Sequence, residues 1–257
     1  MKTKRDMDIL RKLEGGFRTE VEQETGSRIE DVFRHCPDSL ATKLDEFPKY
    51  VRRQKITRLL AMYEVFKQVL PVKGSVIECG VYRGFGLMTW AHLSAILEPV
   101  NLTRRIYGFD TFEGFPPPHD KDSTDLGEAE AGSLFASSYD ELSELATIHD
   151  STRFLGHIPK VDLIKGDATK TIPEFVSSHK HLVVSLLFLD FDLYEPTRVA
   201  IEHFLPRMPK GAVIAFDELD NPIWPGETSA LIETIGINNL KIKRVEFEPY
   251  IGYALLE

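Results

Sequence analysis

Between Ser75 and Glu257 the chain alternates short, continuous apolar runs with longer stretches patterned as helices. The runs are SVIECGV, RRIYGFD, VDLIKGD, VVSLLFLDFD and GAVIAFDEL, and LMTWAHLSAIL and EPTRVAIEHFLPRM are two of the helix-like stretches between them. A strand with apolar side chains at consecutive positions has no face to show to water, so it must lie inside a sheet covered on both sides. Strands of this kind separated by helices pair in parallel. KIKRVEF and YIGYALLE close the chain, separated by EPY, and are placed to form an antiparallel hairpin at one edge. The expected fold class is α/β: a doubly wound, mainly parallel seven-stranded sheet with an antiparallel edge strand.

Residues 1–47 are polar and weakly patterned, with short amphipathic turns in RIEDVFRH and SLATKLDEF, and read as an N-terminal helical extension. In VRRQKITRLLAMYEVFKQVL, Ile56, Leu59, Leu60, Met62, Val65, Phe66, Val69 and Leu70 recur at three- and four-residue intervals, which predicts an amphipathic helix stopped by Pro71 and Gly74. Residues 111–160 are too long and polar for a simple crossover and read as a lid or substrate insertion. A net charge of −9 argues against a partner held by broad electrostatics, whether nucleic acid or anionic membrane. The start of the chain has no apolar signal region, and the apolar stretch around HLVVSLLFLDF is far shorter than the roughly 20 residues that span a bilayer. Cys36 and Cys79 lack any paired spacing. The expected setting is therefore cytoplasmic, without disulfides.

Three expected strand tips carry groups suited to a nucleoside. VIECGVYRGFG runs a strand into Gly80, Gly84 and Gly86 and then into a helix, a turn where a ligand can approach the backbone. Its GxxxGxG spacing departs from the dinucleotide GxGxxG fingerprint. Glu78, ahead of the glycines, suits S-adenosylmethionine, whose ammonium a carboxylate can meet; a glycine-rich turn without a ligand is the competing reading. RRIYGFD ends on Asp110, where a carboxylate can accept from both ribose hydroxyls or merely cap the next turn. VDLIKGDATKTIP ends on Asp167 and Ala168, a carboxylate for an adenine amino group beside a backbone N–H for the ring.

LLFLDFDLYEPT drives Asp190 and Asp192 into the end of the most apolar run. Two apart on a strand, they are expected to face one side, and two carboxylates so placed need a cation or a shared proton. GAVIAFDELD adds Asp217 and Glu218, with Asp220 farther out. If these two strands are neighbours, oxygen ligands converge at one sheet edge, which suits Mg²⁺, with Mn²⁺ or Ca²⁺ as alternatives, and not zinc. Helix capping is the competing reading for each acid taken singly. A cation beside a sulfonium can grip a substrate hydroxyl and lower its pKa, while a carboxylate not used as a ligand accepts the proton. Trp224, Phe112 and Phe115 offer aromatic faces for a sugar or aglycone, with core packing as the competing reading for a lone Trp, and His119 is a second candidate base.

YVRRQKITRLLAMYEVFKQV, GSVIECGVYRGFG, YGFDTFEGFPPP, LLFLDFDLYEPT and FDELDNPIWPGET together resemble the macrocin O-methyltransferase family over about residues 48–230. The resemblance implies a class I, Rossmann-like methyltransferase domain over residues 48–257. It implies S-adenosylmethionine and Mg²⁺ as cofactors and, as acceptor, a sugar hydroxyl of a glycosylated natural product, as in an antibiotic pathway of the calicheamicin type. Asp190 would be a metal ligand and Asp192 the general base. Asp217 and Glu218 would complete the metal site where macrolide-type members have two adjacent aspartates. Cofactor contacts would fall on Glu78, Gly80, Gly84 and Gly86, on Asp110, Thr111 and Phe112, and on Asp167 and Ala168. The resemblance also implies a homo-oligomer, dimer or larger, with N-terminal segments helping to close neighbouring sites. Two other readings stand beside this one: a metal-dependent methyltransferase of catechol-like molecules, and an NAD(P)-dependent oxidoreductase, which calls for the GxGxxG spacing the chain lacks.

Overall fold

The computed structural model describes residues 20–125, 127 and 129–257. The chain divides into two compact units between Leu60 and Ala61, inside the helix α3 (Arg53–Val69). The first unit contains α1 (Glu20–His35) and α2 (Leu40–Asp45). Where the sequence suggested two short turns, RIEDVFRH lies in the second half of a continuous 16-residue helix. Ser39 opens α2 as an N-cap, its hydroxyl accepting the Thr42 N–H at 3.1 Å.

The second unit is built on seven strands: β1 (Ser75–Cys79), β2 (Ile106–Asp110), β3 (Val161–Lys165), β4 (Val184–Leu189), β5 (Val213–Phe216), β6 (Lys243–Val245) and β7 (Glu248–Leu255). They lie in the order β3-β2-β1-β4-β5-β7-β6, with β1 to β5 parallel and β7 antiparallel to both its neighbours. The closing hairpin turns at Glu246 and Phe247, so that EPY belongs to β7 itself. Glu248 secures that entry, its carboxylate accepting the N–H groups of Tyr250 and Ile251 at 3.0 and 2.7 Å.

The apolar run of β4 shows why both faces are covered. Leu186 and Phe188 join one core with Met62, Phe66 and Val69 of α3 and Leu87 and Trp90 of α4 (Phe85–Leu97). Leu187 and Leu189, one position out of phase, join a second core with Ile172 and Phe175 of α6 (Ala168–Ser178) and Val199, Ile201 and Phe204 of α7 (Tyr194–Phe204). The insertion after β2 contains α5 (Tyr139–Thr152), which packs on β3. At the opposite end of the sheet from the strand tips, Arg104 is 2% exposed and donates to the carbonyls of Val69, Val72 and Gly74 at 2.9 to 3.0 Å, with the Glu98 carboxylate 2.6 Å away. Among the described residues no helix is long and apolar enough to cross a membrane.

Candidate active site

Parallel strands leave their carboxyl ends at one edge, and every residue singled out at a strand tip stands there. Gly80 follows β1 with φ +96°, and a Cβ on it would lie 1.8 Å from the Asp190 carbonyl oxygen. The turn can therefore close only around a residue without a side chain. Glu78 is 1% exposed and reaches up under α4, where a Cβ on Gly86 would stand 2.3 Å from its Oε1. Gly84, left-handed at φ +80°, opens that helix as its N-cap. The close approaches at Gly80 and Gly86 are thus made by the chain's own groups.

Asp110 braces this turn: its Oδ2 accepts the N–H groups of Val81 and Tyr82, both at 2.8 Å, and its Oδ1 accepts that of Phe112 at 2.6 Å. A carboxylate has about four acceptor positions, so one remains on Oδ1 for a ribose hydroxyl. Thr111 folds back onto the Gly114 carbonyl at 2.6 Å, and Phe112 is buried edge-on to Tyr139 at 5.3 Å. Asp167 is the N-cap of α6, accepting the Thr169 N–H at 3.0 Å with Ala168 as the first helical residue. Burial alone would raise the Asp167 carboxyl, but its bonds from Thr169 and Lys170 outweigh this and hold it below the usual range.

The acidic group is assembled differently from the strand alternation expected for it. β4 ends at Leu189, so Asp190, Phe191 and Asp192 lie in the turn beyond it, and Asp192 takes a left-handed backbone at φ +62°. Side-chain period two does not operate outside a strand, so the turn itself decides where both acids go. Leu189 pairs with Phe216 across β4 and β5, which sets Asp190 and Asp217 side by side one residue beyond the pair. Asp192 and Asp217 are 7% and 8% exposed. Glu218 extends toward Asn221, whose side-chain amide donates to its Oε2.

Glu227, which the sequence reading passed over, belongs to this group. It is fully buried in the first turn of α8 (Gly226–Thr234), its Oε1 accepts the Glu218 N–H at 3.2 Å, and its Oε2 has no hydrogen-bond partner. Burial, and then the nearby Asp217 and Asp192, push its carboxyl well above the usual range. Burial and the neighbouring Glu78, Glu227 and Asp190 raise the Cys79 thiol likewise, which makes it a poor nucleophile. The one sequence signal for Glu227 was an acid at the start of a helix after Pro225-Gly226, which reads as ordinary first-turn chemistry.

The insertion meets the loop before α8. Phe115 and Trp224 meet edge to face at 6.2 Å, and Thr124 Oγ1 donates to the Pro222 carbonyl at 2.8 Å. His119 Nδ1 accepts the Lys121 N–H at 3.1 Å. That bond occupies the Nδ1 of His119 within its own turn. A groove of about 530 Å³ lies elsewhere, between α5 and β3, lined by Tyr139, Ser143, Asp150 and Leu163 among others, and includes none of the acids.

Whether this end fits a divalent cation turns on its donors. The side chains are all oxygen donors, and Glu227 Oε2 is a buried oxygen without a hydrogen-bond partner, both of which suit a hard ion. As arranged, no three His, Cys, Asp or Glu side chains among the described residues form a metal-binding group.

The sheet order, with β7 antiparallel between β5 and β6, together with the glycine turn after β1 and the acidic tip of β2, is that of a class I methyltransferase, and the family match makes it an S-adenosylmethionine-dependent O-methyltransferase. The family model of macrocin O-methyltransferase (TylF) matches residues 50–232, and the chain belongs to that family. Among solved structures it is similar to CalS11, calicheamicin methyltransferase, with 34% identity, 93% of each chain covered and a TM-score of 0.88. It is similar also to the apo structure of CalS11, described as a TDP-rhamnose 3′-O-methyltransferase, with 33% identity, a TM-score of 0.80, and 93% of this chain and 95% of that one covered. The O-methyltransferase NovP shares the fold at 20% identity and a TM-score of 0.60, with 78% and 80% covered. No curated protein sequence matches the chain.

Proposed function

We propose that this enzyme methylates a hydroxyl of a deoxysugar in antibiotic biosynthesis. The observation that carries this reading is the placement of Asp190, Asp192 and Asp217 at two adjacent strand tips, beside the glycine turn. The description of CalS11 as acting on TDP-rhamnose supports a nucleotide-linked sugar as one form of the acceptor, with a finished glycoside as the other. A flat catechol is the less favoured acceptor, and membership of a methyltransferase family sets the oxidoreductase aside.

Asp192 would accept the proton of the acceptor hydroxyl as its oxygen takes up the methyl group, and S-adenosylmethionine, when bound, would supply that methyl group and leave as the thioether. Glu78, Gly80, Gly84 and Gly86, with Asp110, Thr111 and Phe112 and with Asp167 and Ala168, would hold the cofactor. Asp190 and Asp217, with Glu218 or Glu227 as the further donor, would hold Mg²⁺, which when bound supplies positive charge to acidify the acceptor hydroxyl. Asp192 is buried, so few waters compete for its carboxylate.

Labelled S-adenosylmethionine should pass its methyl group to members of a panel of TDP-deoxysugars and glycosylated antibiotics, and chelator should suppress the transfer. Transfer to catechols but to no sugar would reject the acceptor class, and full turnover in excess chelator would reject the metal. We further propose a cytoplasmic homo-oligomer acting on small glycosides, with neither nucleic acid nor membrane as partner; the free cysteines and the exposed apolar side chains of the N-terminal unit support it.

A further inference from the structure

We propose that Asp122, in the insertion after β2, is a positioning residue that caps α7 from a distance and thereby holds the turn carrying Asp192. This rests on the reading of Asp192 as the base.

Helix α7 starts at Tyr194 behind Leu193, which has no side-chain capping group. The N–H groups of a helix's first turn have no partner within the helix, so a buried start needs an acceptor from elsewhere. Asp122 supplies it across 72 residues of sequence: its Oδ1 accepts the Tyr194 N–H at 2.5 Å. Its Oδ2 accepts the His119 N–H at 2.7 Å, and the residue is only 1% exposed. The carboxylate also lies at the positive end of the helix dipole.

Asp192 stands two residues before the capped amide with φ +62°, a region that residues other than glycine rarely occupy and that persists only where surroundings enforce it. The room for this arrangement is provided from a third segment. A Cβ on Gly226 would lie 2.2 Å from Asp122 Oδ1 and 2.5 Å from the Tyr194 nitrogen, so any side chain at that glycine would displace the cap. The neighbours of Asp122 fasten the same piece of chain. Lys121 Nζ stands 2.6 Å from Glu233 Oε1, and Tyr194 donates its hydroxyl to Glu233 Oε2 at 2.7 Å. Residues 119–124 thus bridge the start of α7 and the loop before α8, the two places from which the acids project.

The test uses the full-length enzyme and three variants. Asp122→Ala removes both acceptors, Asp122→Asn keeps one and serves should the alanine variant fold poorly, and Asp192→Asn reports on the base itself. Turnover, the sugar KM, S-adenosylhomocysteine affinity by calorimetry and amide hydrogen exchange would be measured on each. In the Asp122 variants kcat should fall more than about threefold, with cofactor affinity and KM nearly unchanged. Exchange across residues 191–197 should quicken while β4 stays protected. A smaller fall in kcat, or a fall matched by lost cofactor affinity and faster exchange throughout, would overturn the proposal. If Asp192→Asn is inactive and Asp122→Ala turns over normally, the cap alone is wrong; if Asp192→Asn turns over normally, the base and the cap are both wrong.

Discussion

Asp192 is the residue on which the proposed chemistry depends most. Replacing it with Asn keeps the shape and removes the proton acceptor, so kcat should drop by about a hundredfold or more while S-adenosylhomocysteine still binds as before. Calorimetry beside initial rates checks both, and normal turnover would shift the base elsewhere. Glu218 and Glu227 make a sharper comparison. The Glu218 Oε2 accepts from Asn221, whereas the buried Glu227 Oε2 has no hydrogen-bond partner. Glu227→Gln should therefore weaken Mn²⁺ binding, followed by its electron resonance signal, more than Glu218→Gln does. The reverse order would place Glu218 in the ion's coordination shell. The sequence marked Glu218 because it sits next to Asp217. It could not mark Glu227, because only the packing of α8 against the β5 turn buries that side chain among the acids.

Elements succeed or fail on contacts made at their ends. Arg104 ties the end of α3 to the sheet through three carbonyls and to Glu98 through a buried ion pair. Arg104→Met would strand the Glu98 charge and should cost about 3–5 kcal/mol, read from urea unfolding. On the outer face, His149 of α5 lies 4.8 Å from His92 of α4 and is 6% exposed. Burial, then the charge of His92, hold the His149 pKa below its ordinary 6.5. The unfolded chain takes up this proton first, so the stability His149 contributes is complete above about pH 6.5 and drains away as pH falls toward the lower folded value. His149→Gln should melt less steeply with acid between pH 7 and 5, and parallel melting curves would dismiss the effect. Five strands were legible from their apolar runs, the closing pair from its place as a hairpin at the end of the chain, and α3 from its three- and four-residue spacing. The two exceptions have physical causes. The closing hairpin turns two residues early because Glu248 can bond its own following amides, and the acids of DFD lie in a turn because the ladder ends at Leu189.

At the scale of the molecule, the N-terminal unit leaves Val32, Leu40 and Leu44 at 64%, 70% and 70% exposure, more apolar surface than a small helical unit usually shows to water. A second copy of the chain is the expected cover. Light scattering should give at least a dimer, and Leu40→Glu with Leu44→Glu should lower the mass or weaken the association. A monomeric wild type would end this expectation. The net charge of −9 has no bearing on this surface, since charge sets long-range attraction and not the contacts of an apolar face.

By itself the sequence determined the parallel sheet, its two covered faces and the chemical kind of each strand tip, because side-chain period and the alternation of strands with helices are local properties that burial then obeys. Tertiary structure alone decided which of those groups meet. The pairing of Leu189 with Phe216 sets Asp190 beside Asp217, the fold of α8 brings in Glu227, and the reach of Asp122 to Tyr194 spans 72 residues. Contacts of that range depend on where several elements come to rest together, which no window of neighbouring residues records.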